Sequence, residues 1–485
     1  MAYLLLVTVL LFVLPHRSSD DPFITYRYAR NLANGLGFVY NPGQHILSTT
    51  TPLFTLLLAG IFPLWEKLPA AANLVGAFSL ATGGLAIWLM AQRWKTPAVG
   101  WVGLLIYPTF PLLITTIGGE MPLLLALTLG AIAAYAYRRF ALCGLLVGLA
   151  VLTRPDALLA ASVLVIDYLV YRRSAGPSAK PENRQVGLAI FTFALVVIPW
   201  IGFAWVYFGS PIPATLLAKQ RQGLMLVSQK FAPGLLTVVH DYQTRLFLWL
   251  EALLAVSGLP ALLTPSPVNA APANSAAPRR WILVVAWSGL HFAAYTLLGV
   301  SRYPWYYAPL VPGFLVLTGL GIQNLSRLAG RRLAAPGPAI LSGALVVILL
   351  LSQAAYAREN MSSVDPRYGQ YRAAGQWLAR NTPQQTLVGT LEIGVIGYYG
   401  ARPLVDFAGL LQPEVARQLG PQTSYSDAAI WTVEHYRPQY LLLHRGLYPQ
   451  LESATLPQRC QWLDAIPGEP YGTPNILDIY TCPEK

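Results

Sequence analysis

Two adjacent carboxylates open the first long polar stretch, Asp20-Asp21-Pro22-Phe23-Ile24-Thr25-Tyr26-Arg27-Tyr28-Ala29-Arg30. Neighbouring acids close to an apolar phase bind protons more tightly, because each charge and the low polarity both disfavour ionisation. A carboxylate tuned this way suits removal of a proton from a hydroxyl. Asp21 directly precedes a proline, the pattern of a helix N-cap followed by proline at the first helical position. Asp20 is then the candidate general base and Asp21 its neighbour; an ordinary solvated loop acid is the plain alternative for Asp20. Arg27 and Arg30 alternate with aromatic residues at helical spacing, which reads as a helix lying along a membrane surface, with Arg27 and Tyr28 as candidate substrate contacts.

Further chemistry lies downstream. The Ser48-Thr49-Thr50-Thr51-Pro52 run either caps the Leu-rich segment after it or offers hydroxyls to a sugar. Gly118-Gly119-Glu120-Met121-Pro122 places an acid at the start of an apolar segment. Glu120 reads equally as a dipole-favoured acid near a helix start and as a second active-site carboxylate that binds a divalent cation or orients an acceptor. Arg154-Pro155-Asp156 reads as an internal ion pair, since charges at the bilayer edge need a partner or a polar cavity. Lys219 and Arg221, with Arg302 in Ser301-Arg302-Tyr303-Pro304-Trp305-Tyr306-Tyr307, suit a phosphate clamp, and Tyr306 beside them is a candidate substrate contact. Arg grips phosphate bidentately and Lys acts as a point charge. The plain alternatives are an aromatic belt and attraction to anionic lipid. Glu251 lies inside an apolar run and carries no assigned role.

The elements that must position these residues are membrane helices. Hydrophobic residues make up 55% of the 485 and charged residues only 11%, against about 25% in soluble domains. Residues 71–91, 98–117, 121–137, 185–218, 281–301 and 333–357 contain no Asp, Glu, Lys or Arg. Since about 20 apolar residues cross a bilayer as a helix, spans are expected near 2–14, 71–91, 98–117, 121–137, 140–153, 157–171, 186–208, 246–264, 281–299, 304–324 and 336–356. The fold class is a polytopic α-helical membrane protein of about eleven spans. Residues 2–14 are read as a first helix rather than a signal peptide, for want of a basic leader and a small-residue cleavage site. Thr51–Trp65 is too short to cross and reads as a re-entrant or interfacial helix.

Arg and Lys cluster at alternate gaps: Arg93/Lys95, Arg138/Arg139, Arg172/Arg173/Lys180/Arg184, Arg279/Arg280 and Arg327/Arg331/Arg332. Positive residues mark the cytoplasmic side, so the net charge of +12 reflects orientation, and nucleic acid is not an expected partner. The Pro/Ala/Ser-rich segment 265–278 reads as a flexible cytoplasmic linker. The loops with chemistry all fall on the opposite side, as does everything after Ala357. There charged residues return. A helix at Tyr368–Arg380 and strands at Thr386–Leu391, Pro403–Asp406 and Tyr440–His444 suggest a small α/β domain. The expected division is 1–358, a membrane catalytic domain with loop 15–70, and 359–485, an extracytoplasmic domain. Cys143 is expected to be inert. Cys460 and Cys482 can pair if their compartment is oxidising.

Taken in order, DDPFITYRYARNLANGLGFVYNPG, TTTPLFTLLLA, GGEMP, LTRPDALL, YFGSPIPATLLAKQRQG, RYPWYYAPL and EIGVIGYYGARPLVDFAGLLQPE resemble the GT-C superfamily of membrane glycosyltransferases. The likeness is to the branch of cell-wall arabinofuranosyltransferases and, more loosely, to protein O-mannosyltransferases and lipid A aminoarabinose transferases. It implies a GT-C-like fold in the plasma membrane, with a cytoplasmic N-terminus. It implies a polyprenyl-phosphate sugar donor and inverting transfer to the hydroxyl of a glycan, lipid or protein acceptor. The base maps onto Asp20, with Asp21 beside it, and the second-loop acid onto Glu120. Relatives also imply a longer first helix than residues 2–14 supply. A cofactor is not implied with certainty and a divalent cation is left open. Two rivals are a transporter, which usually shows repeated halves that this sequence lacks, and a non-catalytic envelope assembly or binding protein.

Overall fold

The computed structural model of the chain describes residues 1–14, 19–175, 183–263, 278–332, 334, 336–360 and 365–483. Lys180 and residues 265–277 of the expected linker lie outside the described residues. Among the described residues six helices are long and apolar enough to cross a membrane: Leu68–Arg93, Arg184–Phe208, Leu246–Leu263, Pro278–Leu298, Pro304–Ala329 and Gly337–Glu359. Shorter apolar helices run over Ala2–Val13, Pro52–Ile61, Pro97–Ile106, Met121–Ala136 and Phe140–Thr153. The apolar window of Arg184–Phe208 is only 6% buried. Side chains such as Phe191, Ile198 and Val206 stand open on the outside. So much exposed apolar surface is stable only against lipid, and the protein is an integral membrane protein.

One expected span and the expected re-entrant helix take instructive forms. Residues 98–117 do not form one helix. A helical turn at Pro97–Trp101 passes into a π-helical turn at Val102–Ile106, and a four-residue helix follows at Pro111–Ile114. Pro108 and Pro111 lack N–H donors and bias the residues before them away from helix. The break brings Thr115 and Thr116 to the wall of a cavity. Pro52–Ile61 has 10 residues, about 15 Å at 1.5 Å per residue, roughly half the hydrocarbon thickness.

Beyond the last long helix the chain builds a five-stranded mixed sheet from β1 (Val388–Thr390), β2 (Leu404–Asp406), β3 (Tyr440–His444), β4 (Gln461–Pro467) and β5 (Ile476–Thr481), ordered β2-β1-β3-β5-β4. β2, β1 and β3 are parallel, whereas β5 runs antiparallel to β3 and β4. Cys460, just before β4, and Cys482, just after β5, form a disulfide. Helix Pro366–Asn381 is capped by Asp365, which accepts from the Arg367 amide, and buries Tyr371, Ala374 and Leu378. These side chains share one core with Phe23, Tyr26, Tyr28 and Tyr40 of the first loop. The sheet segment is thus packed onto the first loop as tightly as a domain interior.

Candidate active site

The helix Pro22–Ala33 is the scaffold on which the site is assembled. Pro22 fixes the first helical turn, and Tyr26 donates a 2.5 Å hydrogen bond to the Gly118 carbonyl. That bond carries the Gly118–Glu120 turn to the same place; Gly118 has φ of 99°, a conformation natural to glycine.

Asp20 and Asp21 diverge at the start of this helix. The Asp20 carboxylate accepts hydrogen bonds from the Gly394 amide at 2.8 Å and the Val395 amide at 2.7 Å. It thereby caps the helix Val395–Gly400 from another part of the chain. Burial and the neighbouring Glu392 push its pKa up to about 8, against the pull of the two amides. The far end of the same short helix is held by cations. Arg27 donates to Gly397 O at 2.9 Å, Arg402 O at 2.7 Å and Tyr40 O at 3.0 Å, and Arg30 donates to Tyr398 O at 2.8 Å. A Cβ on Gly394 would collide with the Asp20 backbone, and one on Gly397 with the Tyr40 hydroxyl, so this close docking requires glycine at both positions.

Asp21 occupies the N-cap position but makes no capping hydrogen bond. Its Oδ2 lies 3.7 Å from Lys219 Nζ, and its side chain is 37% exposed against 10% for Lys219. The Lys219 ammonium also sits 3.7 Å from the centre of the Tyr303 ring. Burial works against the Lys219 charge, but Asp21, with Tyr303 and Tyr306, more than offsets it and holds the ammonium firmly protonated. Lys219 is carried by the helix Ala214–Leu224, tied to the first loop where Ala214 N donates to Leu47 O and Thr215 Oγ1 to Ser48 O.

Two cavities meet at this pair. One of about 700 Å³ is lined by Asp21, Lys219, Arg302 and Trp305, together with Arg367 and Glu392 from the sheet segment. The other, of about 400 Å³, is lined by Asp21 and Lys219 together with the Ser48–Thr51 run, Glu120, Arg154 and Tyr306, and most of its surface is apolar. Asp21, Lys219, Thr115, Thr116 and Trp305 line both. In the second cavity Arg154 pairs with Glu120 at 2.7 Å and with Asp156 at 3.3 Å. Tyr295 donates to Asp156 at 2.6 Å and accepts from Arg154 at 2.8 Å.

The residues expected from sequence therefore separate. Asp20, Asp21, Lys219 and Arg302 line the larger cavity, while Glu120 and Tyr306 join Asp21 and Lys219 on the smaller. Arg302 donates to Gln229 Oε1 at 2.7 Å. Arg27 and Tyr28 line neither cavity. Arg27 is 2% exposed and spent on three carbonyls, and the Tyr28 hydroxyl donates to Ile46 O and accepts from Ser48 N. Arg221 also lines neither, being two residues and so about 200° around the helix from Lys219. Asp20 holds a helix end and Asp21 faces the cavities, the reverse of the placement that the Asp-Pro pattern suggested. Glu251 lies away from both cavities and accepts from Gln353 at 2.9 Å. Sequence reasoning gave Arg154 only to its pair with Asp156 and missed Glu392 and Arg367 altogether. The signal for Arg154 was present, since the acid of GGEMP had no partner nearby in sequence and LTRPD held a cation on the same side of the membrane. Among the described residues no group of three or more His, Cys, Asp or Glu is placed to hold a metal ion. Of the acids lining the cavities, Asp20 is engaged by two amides and Glu120 by Arg154.

Residues 359–476 match a family model described as a domain of unknown function (DUF8728). No curated protein matches the chain in sequence. Among solved structures, ArnT from Cupriavidus metallidurans in the apo state superposes with a TM-score of 0.64 at 16% identity, covering 99% of this chain and 96% of that one. ArnT from the same organism bound to undecaprenyl phosphate gives a TM-score of 0.58 at 16% identity, with the same coverage. The archaeal oligosaccharyltransferase AglB from Archaeoglobus fulgidus, in complex with an inhibitory peptide and a dolichol-phosphate, gives 0.56 at 12% identity, covering 93% of this chain and 69% of that one. ArnT and AglB are GT-C fold glycosyltransferases. At these identities the likeness is one of fold: the chain has the GT-C fold, with a small C-terminal α/β part.

Proposed function

We propose that the protein is an inverting glycosyltransferase that moves a sugar from a polyprenyl-phosphate donor to an acceptor hydroxyl on the extracytoplasmic face of the plasma membrane. The observation that carries this reading is the Asp21–Lys219 pair, 3.7 Å apart, at the meeting of a polar cavity and a largely apolar one. Polyprenyl-phosphate sugars need that arrangement, with an apolar channel for the chain, a cation for the phosphate and a base on the acceptor side. The neighbours solved with undecaprenyl phosphate and with dolichol-phosphate support the donor class.

In the proposed reaction the acceptor O–H gives its proton to the Asp21 carboxylate as the oxygen attacks the anomeric carbon. The new C–O bond forms opposite the breaking one, so the configuration inverts. The electron pair of the broken bond leaves with the polyprenyl phosphate, whose added charge is met by Lys219, with Arg302 on the polar side. Asp20 is assigned the positioning of Asp21 rather than proton removal, because both its oxygens already accept from amides. Residues 1–358 form the catalytic part and 359–485 an extracytoplasmic domain in this reading. Pairing of Cys460 with Cys482 supports an oxidising compartment, and the basic gaps between helices support the opposite side as cytoplasmic. The test is transfer from a labelled decaprenyl-phosphate sugar in proteoliposomes, with the anomeric configuration read by NMR. Inverted product that disappears in Asp21→Asn is expected. Retained configuration, or full activity in Asp21→Asn, would remove the assignment.

A further inference from the structure

The cavity of about 700 Å³ is built by two distant parts of the chain. Asp21, Lys219, Tyr303 and Trp305 come from the membrane part, while Arg367, Glu392, Leu410 and Tyr425 come from the sheet segment. Glu392 follows the carboxyl end of β1 by two residues, the end of a parallel strand at which α/β sheets place their binding residues. Its position relative to Asp21 is fixed. Two residues after it the Gly394 and Val395 amides are held by Asp20, whose next neighbour in the chain is Asp21. Arg367, whose charge acts on Glu392, is itself paired with Asp365 at 3.0 Å. Glu392 is half-buried at the cavity wall. Burial pushes its pKa up, and it accepts one hydrogen bond from the Tyr371 hydroxyl, which leaves its second oxygen for the space in front of Asp21.

A carboxyl group accepts hydrogen bonds and, when protonated, donates one as well, so it suits a ligand rich in hydroxyls, which do both. The aromatic faces of Tyr303, Trp305 and Tyr425 on the same walls offer flat apolar surface to the C–H faces of sugar rings. The volume lies inside the range of roughly 300–1,000 Å³ typical of small-ligand pockets, room for about two or three sugar rings. The smaller cavity, with its apolar surface, suits the lipid donor and leaves the larger one to the acceptor. We propose that Glu392 is an acceptor-binding residue, and that the acceptor is a neutral glycan whose end lies between the C-terminal domain and the Tyr303–Trp305 wall. This inference rests on the transferase reading given above. It gives the C-terminal domain a direct part in substrate recognition, beyond bracing the outer face.

The experiment uses the full chain in proteoliposomes, a labelled decaprenyl-phosphate sugar and a panel of neutral di- and trisaccharides of gluco, manno, galacto and arabino configuration, with a hydroxyl-bearing peptide as comparison. Both transferred and hydrolysed donor are counted. The wild type is expected to transfer to at least one saccharide and not to the peptide. Glu392→Gln is expected to raise the acceptor KM at least tenfold and to lower the ratio of transfer to hydrolysis by a similar factor. Glu392→Asp, which keeps the carboxyl on a shorter arm, is expected to recover part of the loss. An unchanged acceptor KM in Glu392→Gln overturns the proposal. So does transfer to the peptide alone, or hydrolysis of donor with no transfer to any saccharide. Should Glu392→Gln fail to fold, Glu392→Asp decides: a KM raised at least threefold supports the proposal and a wild-type KM overturns it. Absence of any donor turnover by the wild type would instead sink the underlying transferase reading.

Discussion

In the joint between the first loop and the C-terminal sheet, Asp20, Arg27 and Arg30 are saturated. Asp20 takes two amides, Arg27 gives to three carbonyls, and Arg30 gives to a fourth. At the junction of the two cavities, one residue further along the chain, Asp21 is more than a third exposed and meets Lys219 only at 3.7 Å. Saturated buried charges hold parts of a protein together, because removing one partner strands the other. A loosely paired charge beside a cavity has capacity left for substrate. The difference teaches that the first region places the second: the joint fixes where Asp20 stands, and Asp21 is bonded to it.

The sharpest way to break this comparison is at the junction. Lys219→Met is expected to lower kcat by about 10²–10³-fold, the loss typical of a removed charge-stabilising group, with an unfolding temperature near that of the wild type. A loss of stability without loss of kcat would move Lys219 to the joint.

The joint answers differently. Arg27→Ala strands three buried carbonyls and is expected to destabilise by about 3 kcal/mol, read as a lower unfolding temperature, while the turnover of the remaining folded protein falls only several-fold. Asp20 adds a pH signature. Its folded pKa of about 8 lies above the ordinary 3.8, so the folded state holds a proton that the unfolded state releases. Its stabilising contribution is complete below about pH 4 and is lost as the pH rises through 8. Buried Asp406, pushed by burial up to about 7, acts in the same direction. The unfolding temperature followed from pH 5 to 9 is expected to fall as the pH rises toward 8, and Asp20→Asn to flatten that slope. A steeper slope in the variant would contradict the assignment of Asp20 to the joint. The smallest effect is expected at Arg221, outside both cavities, where Arg221→Ala is expected to change donor KM less than twofold.

Much of this architecture was legible in the sequence. Apolar length alone located the six long helices, and the short apolar run Tyr440–His444 was enough to name β3 to the residue. β4 was not legible, because an exposed edge strand carrying Asp464 and ending in Pro467 has no buried alternation to detect. The broken 98–117 segment was hidden because its composition is that of a span, and only its prolines signal the break. In the site, the acids and cations were legible by type. The division of labour between Asp20 and Asp21 was not. The donors that saturate Asp20 lie more than 370 positions away, at Gly394 and Val395, and no local pattern encodes them. For the same reason Arg27 read as a substrate contact, since its carbonyl partners at Gly397 and Arg402 are equally remote.

The most direct test sets the two neighbouring acids against each other. Single-turnover transfer is measured for Asp20→Asn and Asp21→Asn in proteoliposomes, with each rate divided by the folded fraction in the same preparation. The expected result is a loss of about 10³-fold or more per folded molecule for Asp21→Asn, within the range of a lost general base, and a loss under tenfold for Asp20→Asn, whose main defect is stability. A rate per folded molecule that collapses in Asp20→Asn and survives in Asp21→Asn would return proton removal to Asp20 and contradict the account.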